Sequence, residues 1–92
     1  MHMWMVFEKK SLAKILKKAP AEVCTRYEAW KRITELEGPL GLRNIKGFHD
    51  EALKGEWRGF RSSRLGKQWR VIYTRTDQHL EVYVIEVTPH KY

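Results

Sequence analysis

The apolar residues of this chain change their spacing once, and that change sets the class of fold open to it. Val23, Tyr27, Trp30, Ile33 and Leu36 recur at steps of three and four, which makes one stripe along an α-helix. From Trp57 onward, apolar and polar residues interleave in short runs rich in β-branched and aromatic types, parted by turn residues, which is the pattern of consecutive strands. Three strands are predicted, over residues 57–65, 68–75 and 81–88, with turns at Gly66-Lys67 and Asp77-Gln78 and a stop at Pro89.

Ahead of the stripe, residues 3–7 form a short apolar run of strand composition. Ser11 stands where a helix N-cap would, before Leu12, Ile15 and Leu16 at helical spacing. Pro20 fits the first turn of a second helix, which Gly38-Pro39 ends. Residues 40–55 read as a loop with room for one helical turn. The order is β-α-α-β-β-β. Helices come first and strands last, which argues for α+β. The expectation is one domain over residues 1–92, with two N-terminal helices packed on one face of a small twisted antiparallel sheet. Alternation puts Trp69, Val71 and Tyr73 on one face of the middle strand, and Arg70 with Ile72 on the other. An arginine beside apolar neighbours at mid-strand asks for a functional reason.

Charge narrows the partners. The 92 residues carry a formal net charge of +7, which favours nucleic acid, an anionic membrane or an acidic protein. The stretch from Arg58 to Arg75 holds six basic side chains and no acidic one, on residues expected to be strand. A cationic sheet surface of that kind suits a polyanion. Cys24 is the single cysteine, so no internal disulfide can form and a reducing compartment, the cytoplasm, is expected. No apolar run approaches the ~18 residues of a membrane span, and the first residues lack a signal-peptide pattern. His49 and Asp50 have no spaced third ligand, so no metal site is expected there. His49 and His79 read as surface loop residues.

Several strings taken together resemble a known family. Leu53-Lys54-Gly55, then residues 59–65 (GFRSSRL), then residues 69–73 (WRVIY), then the terminal His90-Lys91-Tyr92, are similar to the RelE/ParE superfamily of toxins from type II toxin–antitoxin pairs. The resemblance implies a compact α+β fold like that of microbial ribonucleases. It implies either of two activities. The RelE, YoeB and YafQ branch cuts mRNA in the ribosomal A site, and ParE-like members inhibit DNA gyrase. His90 and Tyr92 favour the first, because ParE-like chains generally lack both. By the same resemblance the YoeB glutamate falls on Glu51, the phosphate-holding arginine on Arg70, the C-terminal histidine on His90 and the terminal tyrosine on Tyr92. RelE's two strand lysines fall on Arg61 and Ser63, and a basic position of YoeB on Arg64. The implied partners are a cognate antitoxin, acidic over its neutralising segment, and the ribosome with its mRNA. Neither a membrane nor a small-molecule cofactor is implied.

The residues themselves allow the same chemistry. RNA cleavage by 2′-OH attack needs a base, fixed cations on the phosphorane and an acid for the leaving 5′-oxygen. Glu51 is the base if apolar neighbours favour its protonated form, with His90 the acid, or the two roles are reversed. Arg64, Arg70 and Arg61 have the guanidinium forks that match phosphate oxygens. Lys54, Arg58, Lys67 and Lys91 add positive charge around them, and Tyr92 is able to stack on a base.

Overall fold

The computed structural model describes residues 3–89. Seven elements follow in order: β1 (Met5–Glu8), α1 (Leu12–Lys18), α2 (Ala21–Arg43), β2 (Glu51–Ala52), β3 (Arg61–Arg64), β4 (Arg70–Thr76) and β5 (Glu81–Thr88), with short 3-10 turns at Lys46–Phe48 and Gly55–Trp57. The five strands form one sheet in the order β1-β5-β4-β3-β2. The fold is the expected α+β arrangement, with three departures. The strand expected from residue 57 begins only at Arg61, after the 3-10 turn over Gly55–Trp57. The sheet is mixed, because β1 runs parallel to β5 with Met5 opposite Glu81. The stretch expected to be loop also contributes the two-residue strand β2, antiparallel to β3.

The helices cover one face. Val23, Tyr27 and Trp30 of α2 are buried with Leu12 of α1 against Val71 and Tyr73 of β4 and Val82, Val84 and Val87 of β5. Tyr27 stacks on Trp30, and Trp30 meets the edge of Tyr73 at 5.3 Å between ring centroids. Full burial of such side chains stabilises the fold by roughly 1.5–3 kcal/mol each. Val84 and Val87 share the core face although three residues apart. The register between β4 and β5 shifts at Ile72/Tyr73, so Ile85 is skipped. A bulge of this kind restores the inward alternation on the other side of the extra residue. The sequence stripe holds through Ile33, which packs on the core, and then drifts. Leu36 is exposed, and Thr34 is the buried residue of that turn.

Two helix boundaries differ in detail from the expectation. Ser11 has helical dihedrals and makes no capping bond. The chain enters α1 instead through a turn in which Leu12 N–H donates to the Lys9 carbonyl at 3.0 Å. Pro20 sits one position earlier than expected, as the extended residue before Ala21. Glu8 ties the end of β1 to α2, accepting from Tyr27 Oη at 2.6 Å and pairing with Lys31 Nζ at 3.4 Å. Burial and the adjoining Glu8 carboxylate hold the Tyr27 proton far above the ordinary phenol range.

Gly38 breaks α2 as expected, but the helix restarts. Gly38 has φ 72° and ψ −175°, and Pro39 opens a further turn that runs to Arg43. Trp4 lies over this kink, its backbone N–H donating to the Glu35 carbonyl at 2.9 Å. A Cβ on Gly38 would stand 2.4 Å from Trp4 Nε1. Gly38→Ala therefore meets both a left-handed backbone and an indole. The expected loss is about 2–4 kcal/mol in urea unfolding, and a loss below about 1 kcal/mol would show that Trp4 leaves the kink freely.

Candidate nucleic-acid interface

A buried carboxylate organises the loop that enters β2. The Asp50 side chain is 0% exposed. Its Oδ1 accepts from Arg61 Nε and Nη2, both at 2.7 Å, and its Oδ2 accepts from Ser63 Oγ at 2.6 Å and Tyr73 Oη at 2.5 Å. Ser63 Oγ in turn accepts from Trp30 Nε1 at 3.0 Å. Arg61 and Ser63 are two residues apart on β3, opposite Tyr73 and Val71, so all of these side chains lie on the helix face. Burial alone would lower the Arg61 pKa, but the hydrogen bond and negative charge of Asp50 outweigh it and raise it. Burial, then Asp50, pushes the Tyr73 phenol well above its usual range.

The far face carries a different set. Arg64 of β3 stands directly opposite Arg70 of β4, which stands opposite Thr88 of β5. One row along, Glu51 of β2 is opposite Ser62, Ile72 and Glu86 in turn. Strand geometry puts Glu51 roughly 7 Å along and about 5 Å across from Arg64, counted between backbones. Like charges facing each other across an antiparallel pair repel. Neither Arg64 nor Arg70 enters an ion pair among the described residues. Arg70 is half-buried, beside the fully buried Ile72, and its Nε is buried with no hydrogen-bond partner among the described residues. A buried guanidinium nitrogen left without an acceptor is costly, and an anion between the two arginines would offset the repulsion of their facing charges.

Asp50 also decides where its neighbours point. With Asp50 turned into the core, His49 and Glu51 project outward, and His49 Nε2 lies 3.7 Å from Glu51 Oε2. His49 reaches this position through a left-handed backbone, φ 44°, fixed by its N–H bond to the Lys46 carbonyl at 3.0 Å. Glu51 is not wrapped in apolar side chains as expected of a base, being 45% exposed with an imidazole as neighbour. By sequence alone His49 reads as a plain surface loop residue. Its signal was the i, i+2 spacing to Glu51 about an inward-turned acid.

The other expected residues spread around this centre. Lys54 and Arg58 are exposed on the loop before β3, where Trp57 packs edge-on against Phe60 at 5.4 Å. Lys67 is exposed in the β3–β4 turn, which Leu65 N–H closes by donating to the Trp69 carbonyl at 2.8 Å. Arg61 faces away from the Arg64–Arg70 row, in the ion pair with Asp50. His90, Lys91 and Tyr92 lie outside the described residues. Among the described residues, no group of three or more His, Cys, Asp or Glu side chains is placed to hold a metal ion, and no helix is long and apolar enough to cross a membrane.

Solved structures identify the architecture. The chain superposes on archaeal RelE in its complex with RelB from Pyrococcus horikoshii OT3, with a TM-score of 0.75 and 24% identity over 95% of this chain and 94% of that one. The chain has the RelE-like toxin fold. The same RelE-like scaffold appears in a mutant toxin from Helicobacter pylori, solved with copper bound, at 25% identity, 96% of both chains and a TM-score of 0.62. It appears again in the YoeB–YefM complex from Staphylococcus aureus, at 16% identity, covering 96% of this chain and 98% of that one with a TM-score of 0.70. No protein-family model and no curated protein matches the sequence.

Proposed function

We propose that this chain is the toxin of a type II toxin–antitoxin pair and an endoribonuclease that cleaves mRNA on the ribosome. The observation that carries the reading is the far-face row, in which two arginines without an ion pair among the described residues oppose each other with a carboxylate one row along. A scissile phosphate between Arg64 and Arg70 would give both guanidiniums an anionic partner, which neither has among the described residues. Glu51 takes the proton from the ribose 2′-OH, and His49 orients the carboxylate. The 2′-oxygen attacks phosphorus, and the two arginines stabilise the charge that builds on the phosphorane oxygens. The bond to the 5′-oxygen breaks as that oxygen receives a proton. His90 is assigned as the acid from its sequence position alone. The products are a 2′,3′-cyclic phosphate and a 5′-OH. Tyr92 stacks on a base beside the cut, and Lys54, Arg58, Lys67 and Lys91 hold flanking phosphates. An acidic antitoxin is the counterpart of a chain with net charge +7, and two of the similar structures are toxin–antitoxin complexes.

Glu51→Gln keeps the shape of the side chain and removes the base. Its expected single-turnover rate on programmed ribosomes is about 10²–10⁴-fold below that of the unaltered protein. His49→Gln is expected to slow the same step less, about three- to tenfold. A Glu51→Gln protein that cleaves at the full rate would remove Glu51 from the chemistry.

A further inference from the structure

A groove opens between the first half of α2 and the β3–β4 turn, and a guanidinium that the cleavage chemistry does not use is fixed beside it. The walls include Arg26, Gly47, Arg64, Lys67, Gln68 and Trp69. Arg26 projects from α2 over the ring of Phe48, with its Cζ 4.9 Å from the ring centroid. Phe48 is itself buried in the core, so the platform is rigid. Gly47 leaves the space the guanidinium fills, since a Cβ there would lie 2.7 Å from Arg26 Nη2. No carboxylate pairs with Arg26 among the described residues. The groove thus has three cations against the single carboxylate of Glu22, and a half-buried indole on its wall.

We propose that this groove is a second RNA-binding subsite, in which Arg26 holds a backbone phosphate and Trp69 receives a base from the same strand. Arg64 belongs both to the groove wall and to the row with Arg70. A single strand laid between Arg64 and Arg70 is therefore led into the groove by a run of cations that includes Lys67. The aromatic wall favours nucleic acid over an acidic protein segment, because every base offers a face to stack while an acidic side chain offers none. A stacked guanidinium keeps its in-plane donors free for phosphate. The assignment rests on the nuclease reading for the direction of the strand, but its binding test does not depend on cleavage.

The test uses a fluorescent single-stranded 2′-O-methyl RNA of twelve nucleotides, which cannot be cut by 2′-OH attack, titrated by anisotropy at several salt concentrations. Arg26→Gln is expected to weaken binding about five- to tenfold and to reduce the salt slope by roughly 0.7. Gly47→Ala moves the guanidinium without removing it. It is expected to weaken binding less, and the double variant is expected to bind no worse than Arg26→Gln alone. Arg26→Gln binding with unaltered affinity and slope would overturn the proposal. So would an Arg26→Gln protein that loses affinity for a Glu-rich helical peptide of twenty residues but keeps it for the RNA, which would give the groove to a protein partner. Cleavage of mRNA on programmed ribosomes is measured separately. An unaltered protein that binds the analogue through Arg26 yet cuts nothing would end the nuclease reading and leave the subsite standing.

Discussion

Asp50→Ala is expected to cost about 3–5 kcal/mol of folding stability, read from urea unfolding. The variant leaves the Arg61 guanidinium, the Ser63 hydroxyl and the Tyr73 phenol without the acceptor they converge on. Breaking a buried pair from one side costs more than the pair contributes net, because an uncompensated charge stays behind. Removing both partners, in Asp50→Ala with Arg61→Ala, is expected to recover part of the loss, so the two substitutions are not additive. A loss under about 1 kcal/mol for Asp50→Ala would show that water replaces the carboxylate and that the network does not anchor the loop. The pH dependence has a definite sign. Native Tyr73 binds its proton more tightly than the unfolded chain does. Its contribution is therefore complete below about pH 10 and is lost as the pH rises past the ordinary tyrosine range.

Arg70→Ala is expected to lower the rate of mRNA cleavage by about 10²–10³-fold, with little change in the fold. The asymmetry follows from the site. Arg70 Nε is buried without a partner among the described residues, so deleting the side chain removes an unsatisfied group and should change stability by no more than about 1 kcal/mol either way. Activity and stability thus separate at Arg70, whereas at Asp50 they fall together. Arg70→Lys keeps the charge but loses the planar fork, and an intermediate rate is expected. An Arg70→Ala protein that arrests growth and cleaves mRNA as before would remove the phosphate from this face.

Much of the architecture was legible because it is local. The helical stripe from Val23 to Ile33, the break at Gly38, the turn at Gly66-Lys67 and the alternation of Val71 with Ile72 depend on neighbours a few residues away. The parallel pairing of β1 with β5 does not, since Met5 meets Glu81 only after the whole chain has folded. The Asp50 network was hidden for the same reason. Its donors lie 11 to 23 residues further on, and an acid between His49 and Glu51 reads as a loop residue until those donors arrive. Arg61 is the instructive case. Its charge grouped it with Arg64 and Arg70, but strand parity had already put residues 61 and 63 on the face opposite to 62 and 64. Period-two alternation carried more information there than charge density.

Incubating the purified protein with translating ribosomes, and mapping both the positions and the chemistry of the new mRNA ends, tests the central claim most directly. The expected result is cuts within the ribosome-bound codon bearing 2′,3′-cyclic phosphate and 5′-OH termini, lost in Arg70→Ala and Glu51→Gln, with DNA gyrase supercoiling unaffected in parallel. Intact mRNA together with inhibited gyrase would contradict it.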